Sequence, residues 1–152
     1  RAVQAFGLAE REHDLEGFRE GMQERVYREP EEPQMMAGVT TGSRAGAVVY
    51  RNMAVDHGMP FLEFPDAYNF ADPARADHYA SVTYTTDEEG YTAEGRPILY
   101  NATVTETADR PDSGHQFIEF LCDTPDVLRT AGLTVPEALP RSSGAVPPVI
   151  DA

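Results

Sequence analysis

The run Ala45-Gly46-Ala47-Val48-Val49 carries small and β-branched apolar residues with no polar alternation. A strand of that pattern needs cover on both faces, which points to a fold whose sheet lies between helices. The run delivers Tyr50, Arg51 and Asn52 together at its carboxyl end, where open α/β sheets hold their ligands. A phenol, a guanidinium and an amide can all donate hydrogen bonds, and none need be a nucleophile. The stretch therefore reads as a binding site for an acceptor-rich ligand. The plainer alternative is a Tyr closing a core strand beside two solvated neighbours.

Helical and extended patterns alternate around this run. Val3, Phe6 and Ala9 fall at helical spacing over 2–12, and Asp14 can cap a second helix to about Arg25, with Leu15, Phe18 and Met22 on one face. A short strand is expected over 26–28. Pro33 suits the first position of a helix over 34–41 that stops at Gly42. The acids Glu29, Glu31 and Glu32 suit the positive end of that helix, whose first-turn backbone N–H groups make an anion site whatever the side chains are. The turn Gly42-Ser43-Arg44-Ala45-Gly46 has the wrong glycine spacing for a phosphate loop, and no Lys follows it.

Beyond Tyr50 the pattern predicts a short helix through His57, ended by Gly58, then a strand over 61–64 and a loop over 66–72. Two helical turns over 73–79 and strands over 81–86 and 98–105 follow. Asp87, Glu88, Glu89 and Gly90 read as a solvated hairpin tip, because a calcium site would space its ligands further apart. The sequon Asn101-Ala102-Thr103 lies inside an apolar strand and reads as chance. A helix from Asp112 or Ser113 should bury Phe117, Ile118, Phe120 and Leu121. Thr124-Pro125 opens another, with Val127, Leu128 and Ala131 inward and Gly132 at its end. The last twenty residues, rich in Pro and Ser, read as extended or loose. The class is α/β.

Charge narrows the partners. The 152 residues hold 26 acids against 12 basic groups, a net charge of -14, and every basic residue is Arg. Dense carboxylates spread along the chain fit a protein kept soluble in concentrated salt, where charges are screened within about 3 Å at 1 M. The same balance argues against nucleic acid as a partner. The single Cys122, in the apolar run FIEFLC, excludes an intramolecular disulfide and reads as a small buried hydrophobe. His13, His57, His78 and His115 lie far apart, and no HExxH, GxSxG or CxxC occurs, so neither a metal helix nor an enzyme's machinery is visible. No apolar run approaches the roughly 18 residues of a membrane span. The chain starts at Arg1 in what reads as mid-helix, so a piece of a longer protein is expected.

The segments GAVVYRNMAVDHGMPFLEFPDAYN, ADPARADHYASV, GRPILYNATV and HQFIEFLCDTPDVLRTAGLT, in this order and spacing, resemble the later part of molybdate/tungstate-binding proteins, the solute receptors of ABC importers. The resemblance implies a two-lobed periplasmic-binding-protein type II fold of which this chain is the later portion. Residues 1–97 would belong to the second lobe, with strand 45–50 central. Residues 98–152 would return to the first lobe through a hinge near 95–98, and the opening part of that lobe would lie outside the sequence.

It further implies that the Tyr50 hydroxyl and the Glu32 backbone N–H donate to a metal-oxide oxygen, with Asn52 and Arg51 as weaker candidates. The expected ligand is a transported molybdate or tungstate, with no cofactor and no catalytic residue. The expected partners are the membrane permease of an ABC importer and the missing N-terminal segment. The expected place is extracytoplasmic, anchored to the membrane through that segment. Archaeal tungstate-type members usually carry Glu just before the Tyr, to make a six-coordinate metal. Val49 stands there in this chain, which favours a tetrahedral dianion held by hydrogen bonds. The long insertion common in that branch before Pro33 is also missing. A sulfate-type receptor, the effector-sensing domain of a transcription regulator, and an enzyme on a related two-lobe scaffold are the alternatives.

Overall fold

A computed structural model describes residues 1–28, 31–86, 90–137 and 139. The acidic tip expected at 87–89 and nearly all of the chain beyond 137 lie outside them. The chain divides into two compact units, one formed by Arg1–Tyr50 with Phe61–Leu99, the other by Arg51–Pro60 with Tyr100–Ala152. The architecture is mixed helix with a small antiparallel sheet.

The first unit is built on helix α1, Ala2–Glu12. Its middle residues Gln4 to Ala9 are all buried, so the helix is covered all round and not only along the stripe its apolar spacing predicts. Small residues at Ala5, Gly7 and Ala9 permit that close cover, and Gln4, the one buried polar side chain among the described residues, donates from Nε2 to the Ala93 carbonyl at 2.9 Å. Phe6 meets Phe18 of helix α2, Phe18–Arg25, edge to face with ring centroids 6.1 Å apart. Helix α3 runs Glu32–Thr40 with Pro33 in its first turn, as the sequence predicts to within two residues. Strands β1, Thr83–Thr85, and β2, Thr92–Glu94, form the hairpin, with Tyr84 opposite Ala93.

The core of this unit is Ala5, Leu8, Phe70, Tyr79 and Val82, with Tyr68 and Ile98 packed against it. Phe70 comes from the loop expected over 66–72, and its φ of 63° is left-handed. That conformation costs a non-glycine residue about 1–2 kcal/mol, and Asn69 holds the loop that imposes it. Its Nδ2 donates to the Phe64 carbonyl at 3.0 Å and to Asp66 Oδ1 at 2.8 Å, while its Oδ1 accepts from the Ala71 N–H at 2.7 Å. Tyr79, on helix α5 (Ala76–Ala80), is fully buried, and its hydroxyl donates to the Asp66 carbonyl at 2.6 Å. Burial raises the pKa of this phenol.

The second unit holds helices α4 (Arg51–Asp56), α6 (Pro111–Asp123) and α7 (Pro125–Thr130). Gly132, at φ 85°, ends the last of these, and a Cβ there would lie 2.9 Å from Val55 Cγ2 and 3.0 Å from Asn52 Cα. The chain thus folds back onto the start of α4 through a position that only glycine fits. At Gly114 a Cβ would meet Val104 Cγ2 at 2.8 Å, so α6 lies tightly on the segment 101–105.

Several expectations change. The strands predicted over 26–28, 45–50, 61–64 and 98–105 pair with no neighbour among the described residues. Their sequences favour extended backbone, but a strand needs the N–H and C=O groups of a second one beside it. Ala47 and Val48 are exposed rather than covered on both faces. Phe117 and Phe120, expected inside, are 59% and 49% exposed, and Cys122 is only partly buried.

Candidate functional site

Tyr50 closes the run 46–50, which is neither helix nor strand, at the last residue of its portion of the first unit, and Arg51 and Asn52 open α4 in the second. The unit boundary therefore falls inside the trio of candidate donors. Tyr50 is 36% exposed, and its hydroxyl makes no hydrogen bond among the described residues. A phenol in that state keeps its donor available to a ligand.

Glu32 is the first residue of α3, and Pro33 after it has no N–H. The N–H groups of Gln34 and Met35 turn back to the Glu31 carbonyl at 3.1 and 3.4 Å. The Glu31 side chain caps no backbone N–H of the helix start, but its Oε2 accepts from Gln34 Nε2 at 3.3 Å.

Within the second unit, Asn52 Oδ1 accepts from the Tyr100 hydroxyl at 3.5 Å, a long contact that leaves the Asn52 amide NH₂ to donate elsewhere. Asn52 lines a cavity of about 230 Å³ together with Met53, Asp56, His57, Ala131 and Leu133. A larger groove in the first unit, about 500 Å³, is bordered by Leu15, Phe18 and Met22 with Asp14, Glu16 and Arg25 around it. Neither hollow is lined by Tyr50 or by Glu32. The Tyr100 and Gly132 approaches to Asn52 escaped sequence reasoning. Their only signal was the tyrosine closing GRPILY and the glycine ending the last helix.

No group of three or more His, Cys, Asp or Glu side chains arranged to hold a metal occurs among the described residues. No described helix is long and apolar enough to cross a membrane. Taken singly, a phenol, an amide NH₂ and a main-chain N–H can each donate a hydrogen bond to an oxyanion.

No family model matches the chain. It is 50% identical over 151 residues, 99% of its length, to an uncharacterized solute-binding protein of Halobacterium salinarum, of which it covers 48%. It is 41% identical over 119 residues to a Haloferax volcanii protein provisionally named an ABC transporter molybdenum-binding protein, covering 77% of this chain and 37% of that one. A molybdate/tungstate-binding protein of Thermococcus kodakarensis is 30% identical over 97 residues, 64% of this chain and 27% of its own. The chain thus spans about half, or less, of the length of these curated relatives. Nearly all of it is homologous to part of a solute-binding protein.

Proposed function

We propose that this chain is the later portion of an extracytoplasmic solute-binding protein with two α/β lobes. That protein captures a tetrahedral oxyanion, molybdate or tungstate, and hands it to the membrane permease of an ABC importer. Tyr50 donates its hydroxyl to the anion and Glu32 its backbone N–H, with Asn52 and Arg51 in lesser roles.

The observation that carries this reading is the relationship of nearly the whole chain to a solute-binding protein, joined to the molybdenum and molybdate/tungstate names of two further relatives. The exposed Tyr50 hydroxyl, with no hydrogen bond of its own among the described residues, supports the site. A dianion leaving water needs several donors, and uncharged donors satisfy it without a counter-charge that would resist release. In molar salt the field of a net -14 chain is screened within about 3 Å, so these short-range donors decide affinity.

Calorimetric titration of the complete protein in molar KCl with molybdate, tungstate and sulfate tests the reading. Submicromolar binding of the first two and little of sulfate is expected. Binding of no oxyanion, or of sulfate alone, would overturn it.

A further inference from the structure

The Tyr50 hydroxyl makes no hydrogen bond among the described residues, so the place of this phenol is set by the backbone that carries it. That backbone runs directly into α4, whose first turn is held by a segment far along the sequence. Helix α7 ends in a Schellman turn: the Gly132 N–H donates to the Arg129 carbonyl at 2.9 Å and the Leu133 N–H to the Leu128 carbonyl at 3.0 Å. The turn lays the buried Gly132, at φ 85°, on the start of α4, where a Cβ would lie 3.0 Å from Asn52 Cα, 3.2 Å from Asn52 N and 2.9 Å from Val55 Cγ2. Two of these three atoms are main chain, which gives way only if α4 itself moves. Ala131 and Leu133, on either side of the glycine, line one cavity with Asn52 and Asp56, so the whole turn faces the helix. The Tyr100 hydroxyl, donating to Asn52 Oδ1 at 3.5 Å, adds a weaker hold on the same residue.

We infer that Gly132 is a positioning residue for the Tyr50 phenol, acting through the close seat of the α7 turn on Asn52. The inference rests on the reading of Tyr50 as an oxyanion donor and adds what fixes that donor in place. Asn52 lies two residues after Tyr50, so a Cβ at 132 that displaces Asn52 also turns the peptide carrying the phenol. A hydrogen bond weakens steeply once its angle is lost, and a small turn of that peptide is therefore felt at the ligand. Glycine is required twice over at this position, for the left-handed turn and for the approach to a neighbouring backbone.

The test uses the complete protein with isotope-labelled tyrosine in molar KCl, first with no oxyanion present. The Tyr50 ring resonances, assigned by their loss in Tyr50→Phe, should shift in Gly132→Ala and less strongly in Leu133→Ala. Those of Tyr79, in the core of the first unit, should stay as in the parent. Leu133→Ala adds no atom to the turn and carries the same test if Gly132→Ala does not fold. On titration with molybdate, Gly132→Ala should bind at least about tenfold more weakly than the parent. It should cost no further affinity once Tyr50→Phe has removed the phenol, because residues that act through one group are not additive. Tyr50 resonances unmoved in the variants, Tyr50 and Tyr79 moving together, or an equal loss of affinity with and without the phenol would each overturn the inference. If the parent binds no oxyanion, the ligand assignment falls, while the resonance shifts still decide whether Gly132 positions Tyr50.

Discussion

The first unit closes on itself, whereas the second does not. Leu8, Phe70, Tyr79 and Val82 are at most 2% exposed and meet around α1, yet in the second unit Ala54 is the one apolar side chain in the buried core among the described residues. The helices of the two units are equally well specified locally. Among the described residues, the first has its loop, hairpin and helices tied by backbone bonds such as Gly95 N–H to Val82 O and Ile98 N–H to Phe70 O, both 2.8 Å, whereas the second has the longer Tyr100 hydroxyl to Asn52 contact at 3.5 Å. The difference teaches that local signals suffice to make helices, while a core needs every layer that covers it.

The sharpest way to break this comparison is to empty the closed core. Phe70→Ala should cost about 3–5 kcal/mol, read as faster exchange of α1 and α5 amides. Unchanged exchange there would deny that the first unit has a core of its own.

A subtler effect concerns Tyr79. Burial raises its folded-state pKa, so on raising the pH the unfolded chain loses this proton first. The contribution is therefore intact below the ordinary tyrosine value of about 10 and declines as pH climbs through that value towards the raised one. Denaturation of the parent chain and Tyr79→Phe across this range should show an extra alkaline loss that the variant lacks. The smallest effect is expected on the open side, where Phe117→Ser in the chain alone should change stability by no more than about 0.5 kcal/mol. A loss of several times that size would mean that Phe117 is already packed.

The helices were largely legible from the sequence. Pro33 and Pro125 mark helix starts, Gly132 marks an end, and the periodicity of 2–12 and 111–123 is strong enough to survive without knowledge of the partners. The strands at 45–50, 61–64 and 98–105 were not, because an apolar extended run becomes a strand only beside a neighbour, and the described residues supply none. The loop 66–72 was read as mere connection, yet it delivers Phe70 to the core through a left-handed turn that no periodicity announces. Of the candidate site, the sequence marks where Tyr50 ends its apolar run and where α3 starts. That the unit boundary falls between Tyr50 and Arg51 was not legible, since which segments pack together depends on the whole fold and not on adjacent residues.

The central claim is that the Tyr50 hydroxyl donates to a bound oxyanion. Its most direct test is titration of the complete protein and its Tyr50→Phe variant with molybdate and tungstate in molar KCl. Loss of one such bond should weaken binding by about 1–3 kcal/mol while folding is unchanged. Equal affinity in the two proteins would contradict the account.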